Sequence, residues 1–240
     1  MTTPIFIITC DRLSSTKSVV QSYKNCIKTP YELVFVDLGS TYESMVEYLG
    51  KMAHRGMKVY MGKSITQVNH LNKVSDYIDD YFQSHDQCDY VVTDCDIALD
   101  KTPGDVLRVY SHFLEILPTI NVAGPMLRID DIPDHYPYKK QLLDGTMGQH
   151  KRFHSMPVKE IEHFGKKIRY IHSQIDTTFG MYRAKSKWAR MSSGIRVLAP
   201  YAARHLDWYI DPAKMLPDQT HYMKHASKQI AHWGLVNDDT

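Results

Sequence analysis

Two carboxylates, Asp94 and Asp96, stand one residue apart where the apolar run Tyr90-Val91-Val92-Thr93 ends. A buried unpaired carboxylate costs on the order of several kcal/mol or takes up a proton, so such a position asks for a partner. At i and i+2 of an extended backbone, both side chains point to the same side. There they can share one hard divalent cation, Mg²⁺ or Mn²⁺, which takes oxygen ligands and keeps positions open for phosphate. A turn or a helix N-terminus is the plainer alternative, because short acidic pairs are common. Two other polar segments follow apolar runs in the same way. Thr9-Cys10-Asp11-Arg12 comes after Ile5-Phe6-Ile7-Ile8, and Asp37-Leu38-Gly39-Ser40-Thr41 comes after Leu33-Val34-Phe35-Val36.

These segments need elements to hold them. The first half of the chain alternates strand and helix: strands at Ile5–Ile8, Leu33–Val36, Lys58–Met61 and Tyr90–Thr93, with helices over Ser14–Asn25, Glu43–Arg55 and Val68–Ser84 between them. That rhythm predicts an α/β fold whose parallel sheet carries helices on both faces. Ligands of such sheets sit at the carboxyl ends of the strands, which is where all three polar turns fall. A helix from Pro103 to about Leu117 and a strand at Val122–Pro125 follow. From Asp130 to about Lys167 the periodicity weakens, and a long irregular segment is expected there, a mobile or acceptor-facing loop with disorder as the alternative. Strands at Ile168–Ile171 and Thr178–Tyr182 and a helical turn at Ser186–Met191 complete the pattern. The C-terminal stretch, with Pro200, Pro212 and Pro217 among histidines and aromatics, is expected to wrap the site.

Composition narrows the class. Lys plus Arg is 29 and Asp plus Glu is 27, so no bulk charge draws the chain to nucleic acid. No apolar run approaches the roughly 20 residues of a membrane helix. Met1-Thr2-Thr3-Pro4 leads straight into a strand without a signal peptide, and the expected location is cytoplasmic. Cys10, Cys26, Cys88 and Cys95 lack CxxC spacing and read as free thiols. No repeat or linker divides residues 1–240, which read as one domain.

At this point the residues resemble a known family. Ile7-Ile8-Thr9-Cys10-Asp11-Arg12, Val34-Phe35-Val36-Asp37-Leu38-Gly39-Ser40-Thr41 and Thr93-Asp94-Cys95-Asp96 look like the three landmarks of GT-A-type glycosyltransferases, most similar to the family 2 group. Ile175–Arg183 and Ala203–Tyr209 are similar to bacterial and viral members. The resemblance implies a Rossmann-like, mixed but mostly parallel sheet. It implies a nucleotide-binding half over residues 1–100 and an acceptor-binding half over 101–240. It further implies transfer of a sugar from a UDP- or GDP-linked donor to a glycan, glycoprotein or other hydroxyl acceptor, with Mn²⁺ or Mg²⁺. Thr9, Asp11 and Arg12, with the adjoining Cys10 and Cys95, would line the nucleotide-sugar pocket, and Asp37 would bond the base or ribose. Asp94 would face the ribose and the metal, and Asp96 would hold the metal between the phosphates. Leu38 departs from the pattern, since many relatives carry a second acid there. Asn69 and Asn72 fall where relatives place another nucleotide contact, with a plain helix surface as the alternative.

The implied chemistry asks for more groups. An inverting enzyme needs a carboxylate to take the acceptor proton. Asp176 and Asp207 are the candidates; Asp207 could instead pair with Arg204, and Asp176 could cap a turn through Thr177 and Thr178. His205 or His225 would complete the metal shell, although packed or surface roles are common for histidine. Arg204 could hold a phosphate or join a surface salt bridge. Trp208 could give a sugar an apolar platform. Two rivals remain at this stage, a sugar-phosphate nucleotidyltransferase and a non-catalytic module of the same fold. The absence of glycine from Thr9–Arg12 argues against the first.

Overall fold

The first apolar run becomes strand β1 (Thr3–Thr9), six of whose seven residues are buried because both faces are covered. Ile5 and Ile7 pack against Val19 and Tyr23 of helix α1 (Leu13–Cys26), while Phe6 and Ile8 face the opposite layer. Strand β2 (Tyr31–Asp37), helix α2 (Glu43–His54), strand β3 (Lys58–Met61), helix α3 (Asn72–Gln83) and strand β4 (Tyr90–Asp94) continue the alternation. The chain is seen here in a computed structural model that describes residues 2–62, 72–146 and 150–226.

After β4 come the short strand β5 (Ile97–Ala98), helix α4 (Val106–Ile116), strand β6 (Val122–Pro125) and helices α5 (Lys139–Asp144) and α6 (His150–His154). Strands β7 (Lys159–His163), β8 (Lys166–Ile175), β9 (Gly180–Tyr182), β10 (Ser192–Val197) and β11 (Arg204–His205) follow. Two 3-10 turns (Leu206–Tyr209 and Pro212–Lys214) lead into the last described helix, α7 (Pro217–His225).

Nine strands among the described residues form one sheet in the order β3-β2-β1-β4-β9-β6-β10-β8-β7. β1 through β4 pair in parallel, β9 lies antiparallel between β4 and β6, and β10 is parallel to β6. The hairpin β7–β8 closes the far edge in antiparallel register. All but β8 and β9 therefore run the same way, so the sheet is mixed but mostly co-directional, flanked by helices as expected.

Register sets the site. Thr9 of β1 lies opposite Asp37 of β2, and Ile8 lies opposite Asp94 of β4. The three polar turns thus leave the sheet at one level.

Three expectations need correction. Residues 130–167 are not one irregular segment, because α5, α6 and β7 lie inside them and β7 pairs with β8. Ser186–Met191 forms turns and coil rather than a helical turn. Most important, β4 stops at Asp94 and the chain turns at Cys95–Asp96. The two carboxylates are not successive same-side residues of an extended strand.

Candidate active site

The turn after β4 throws Asp96 toward the second half of the chain. β5 pairs with β11 so that His205 lies opposite Ile97, and the Leu206 N–H donates to the Asp96 carbonyl at 2.7 Å. This two-residue ladder seats the 3-10 turn that carries Asp207. Asp96, His205 and Asp207, all buried, each place one ligating atom within 4.8 Å of the others. His205 Nε2 lies 3.8 Å from Asp96 Oδ2.

Arg12, at the start of α1, enters this cluster from the other side. Its Nη1 donates to Asp96 Oδ2 at 2.7 Å and its Nη2 donates to Asp207 Oδ1. Tyr222 of α7 lies over the guanidinium, 5.0 Å from its carbon to the ring centre. Burial alone would raise the Asp96 carboxyl, but His205 and the Arg12 guanidinium outweigh it and hold it below its ordinary value. The positive charge of Arg12 is reinforced in turn: burial opposes it, and Asp96 overcomes that.

The residues fit a divalent cation. Asp96 Oδ1 is buried without a hydrogen-bond partner, although a buried carboxylate oxygen ordinarily has one. Two carboxylates with one imidazole nitrogen suit Mn²⁺ better than the all-oxygen shell Mg²⁺ prefers.

Asp94 is placed otherwise. Its N–H donates to the Thr177 carbonyl at 2.7 Å, and its Oδ2 accepts the Thr177 hydroxyl. Burial first, then the charge of Asp96, pushes its carboxyl up. It lies outside the Asp96–His205–Asp207 group, which joins Asp96 to residues over 100 positions away.

The turns after β1 and β2 brace each other. Asp11, at φ 55°, accepts from the N–H groups of Thr41 (2.6 Å) and Tyr42 (2.7 Å), and its own N–H donates to Ser40 Oγ. Asp37 accepts from the N–H of Gly39 (3.0 Å), the N–H of Ser40 (2.9 Å) and the Ser40 hydroxyl (2.5 Å). Its burial is complete and raises its carboxyl despite these bonds. Asp37, expected to meet a base or ribose, shapes its own turn here, and Asp11 fastens that turn to β1. Thr9 bonds Thr16 inside α1's packing. Cys10 is half-buried and Cys95 buried, and burial raises both thiols, Cys95 to about 11.

Other expectations are also redirected. Asp207 pairs with Arg12, not Arg204; Arg204 pairs with Asp100 and lies over the Tyr209 ring. Trp208 is fully buried and stacks on His205 at 4.9 Å between ring centres, so it cannot offer a face to a sugar. His225 is exposed at the end of α7 with Nδ1 2.8 Å from the His221 carbonyl, away from the cluster. Asn72 opens α3, and Asn69 lies outside the described residues. Asp176 sits between β8 and β9, partly exposed, with Oδ1 3.8 Å from Arg196 Nη2.

Thr177, named above only as a turn partner of Asp176, holds Asp94. Three further residues escaped the sequence reading, of which Tyr222 covers Arg12. Asp218 accepts from Ser14 N and Oγ, both at 2.7 Å, capping α1, whose own N-cap residue Arg12 makes no cap bond. Arg196, 2% exposed, donates to the Gln174 carbonyl at 3.1 Å and to the Thr178 hydroxyl at 3.1 Å, so it braces the loop that carries Asp176. A signal for α7 was available: Pro217 at the first helical position with Gln219 two residues on is a helix start.

The fold is α/β, a mixed sheet whose parallel β3-β2-β1-β4 half meets an antiparallel β9 beside the acidic turn. No family model and no curated protein matches the chain. Among solved structures it is similar to mannosyltransferase PcManGT from Pyrobaculum calidifontis in complex with GDP-Man and Mn²⁺, with TM-score 0.39 and 16% identity over 61% of this chain and 46% of that one. It is also similar to S. aureus TarS 1-349 in complex with UDP-GlcNAc, with TM-score 0.47 and 13% identity over 100% of this chain and 68% of that one. Mycobacterium tuberculosis glucosyl-3-phosphoglycerate synthase in complex with Mn²⁺ and UDP-glucose gives TM-score 0.34 and 14% identity over 60% and 49%. The chain spans just under half the length of the mannosyltransferase. No helix among the described residues is long and apolar enough to cross a membrane.

Proposed function

We infer that this chain transfers a sugar from a nucleotide-sugar donor, UDP- or GDP-linked, to a hydroxyl of a glycan or other acceptor. The observation that carries this reading is the buried Asp96–His205–Asp207 cluster at the carboxyl end of the sheet. Asp96, His205 and Asp207 would hold a divalent cation, Mn²⁺ by the chemistry of the donor set. When bound, such an ion supplies Lewis-acid stabilisation of a leaving diphosphate. Arg12 brings a planar fork suited to phosphate oxygens into the same place. Asp94, held by Thr177, ends β4 just before the turn that carries Asp96.

With Asp207 drawn into the cluster, Asp176 is the remaining candidate for the base that takes the acceptor hydroxyl's proton. It is partly exposed, which an acceptor requires, and Arg196 braces its loop. Asp176 adjoins Thr177, so the base and the acidic turn are linked through one residue. The test is a panel of UDP- and GDP-sugars, reading release of nucleoside diphosphate. Asp176→Asn should lower turnover by roughly 100-fold or more while leaving donor binding intact, because general base catalysis contributes about 10²–10⁴-fold. No turnover with any donor, by a chain that still binds none of them, would refute the reading.

A further inference from the structure

One contact sets this site apart from a plain metal cage: the Arg12 guanidinium already bonds both of the cluster's carboxylates. It occupies the position of a countercation between Asp96 Oδ2 and Asp207 Oδ1, with a side chain only 12% exposed. A divalent cation held by these two carboxylates, even one taking the unpartnered Asp96 Oδ1, would stand within a few ångströms of that guanidinium. Like charges at such a distance in a buried site repel strongly. Repulsion therefore favours a state in which Arg12 leaves at least one carboxylate as the cation enters. A buried guanidinium that loses both partners and gains none is left uncompensated, which is costly. Entry of the cation alone is thus opposed twice, by repulsion and by the stranding of Arg12.

A diphosphate removes both objections. The guanidinium fork matches phosphate oxygens as well as it matches carboxylates. An incoming diphosphate can take Arg12, release Asp96 and Asp207, and add negative charge beside the cation. Arg12 extends from the first turn of the sheet edge, and Tyr222 covers the face of its guanidinium, so the fork can change partners within one sheltered place.

We propose that Arg12 is an exchangeable internal cation that makes divalent-metal binding depend on the nucleoside diphosphate. The metal and the diphosphate then enter as a coupled pair, Arg12 moving from the two carboxylates to a phosphate. By linkage, the cation tightens the diphosphate by the same factor as the diphosphate tightens the cation. This rests on the reading that Asp96, His205 and Asp207 hold a cation.

The test follows free Mn²⁺ by its paramagnetic resonance signal during titration of the protein, with and without UDP or GDP. The Mn²⁺ bound by each nucleotide in protein-free solution is measured and subtracted. For the unaltered chain, Mn²⁺ affinity should rise by roughly 5- to 150-fold when the diphosphate is present. Arg12→Gln should bind Mn²⁺ alone more tightly than the unaltered chain, by a similar factor, and gain little from diphosphate. Arg12→Lys keeps the buried charge and so guards against a folding failure. Its single ammonium cannot hold both carboxylates in a fork, and it should show part of the same gain. Equal Mn²⁺ affinity with and without diphosphate, or variants that bind no more tightly than the parent, would overturn the proposal. Asp96→Asn separates the two levels. If it abolishes a Mn²⁺ binding that ignores diphosphate, the metal site stands and the exchange falls. If the parent holds no Mn²⁺ under any condition, both fall.

Discussion

Arg12, Asp96 and Asp207 put three charges in one buried place, and removing any one leaves the others uncompensated. Breaking a buried pair of this kind costs about 3–5 kcal/mol. Asp96→Asn keeps the shape but loses an anionic ligand. It should lower metal-dependent turnover by more than roughly 100-fold, as loss of even a supporting metal contact costs about 10–100-fold. Kinetics at saturating donor over a Mn²⁺ series would register it. Trp208 is the contrary case: its burial and its stack on His205 make it core, so Trp208→Ala should cost about 3–5 kcal/mol in a urea titration. A sugar platform would instead lose acceptor affinity with little change in stability. Asp37 gives a pH prediction. Its carboxyl sits above the ordinary 3.8, chiefly through burial, so the native state holds that proton more tightly than the unfolded chain does. Its contribution is fully present below 3.8 and declines as pH rises through the raised native value. Asp37→Asn should flatten that fall in stability, measured by denaturant unfolding from pH 3.5 upward. At this scale the sequence was partly legible. Asp96 and His205 could be singled out as members of one metal shell, but Asp207 as its third member and Arg12 as the ion-pair partner of both acids could not. The stop of β4 at Asp94 turned the second acid away from the first, and two-residue ladders such as β5–β11 leave no periodic trace.

The elements of the first half were readable because β1, β2 and β4 carry continuous apolar runs and the first two helices bury residues three or four apart. Beyond residue 130 this ceases to hold. β7 reads Lys-Glu-Ile-Glu-His, an exposed edge strand whose one inward residue gives no recognisable pattern. β9 is only three residues long yet stands between β4 and β6, joining the two halves of the sheet. Helix α7 acts on the site from outside the sheet. Asp218 supplies the N-cap acceptor that α1 lacks, and Tyr222 covers Arg12. Asp218→Ala should therefore destabilise the chain by about 1 kcal/mol, the usual cost of a lost cap, visible in thermal or urea unfolding. Gly194 of β10 is tight in a different way. A Cβ there would lie 2.2 Å from the Val122 carbonyl oxygen, so Gly194→Ala should cost about 1–3 kcal/mol by the same measurement.

Across the whole molecule, one sheet carries three polar turns to a single level, and the chain's second half returns His205 and Asp207 to meet them. Neither half has the cluster alone: Arg12 and Asp96 come from before residue 100, and His205 and Asp207 from after 200. The βαβ rhythm announced the sheet edge where a ligand would sit, but the return of the C-terminal segment rests on long-range packing that no local pattern encodes. The most direct test of the account is donor turnover, as nucleoside diphosphate released from UDP- and GDP-sugars, in Mn²⁺, in EDTA, and after Mn²⁺ is restored. The account predicts turnover that disappears in EDTA, returns with Mn²⁺, and is absent throughout in Asp96→Asn. Turnover of the same rate in EDTA would contradict it.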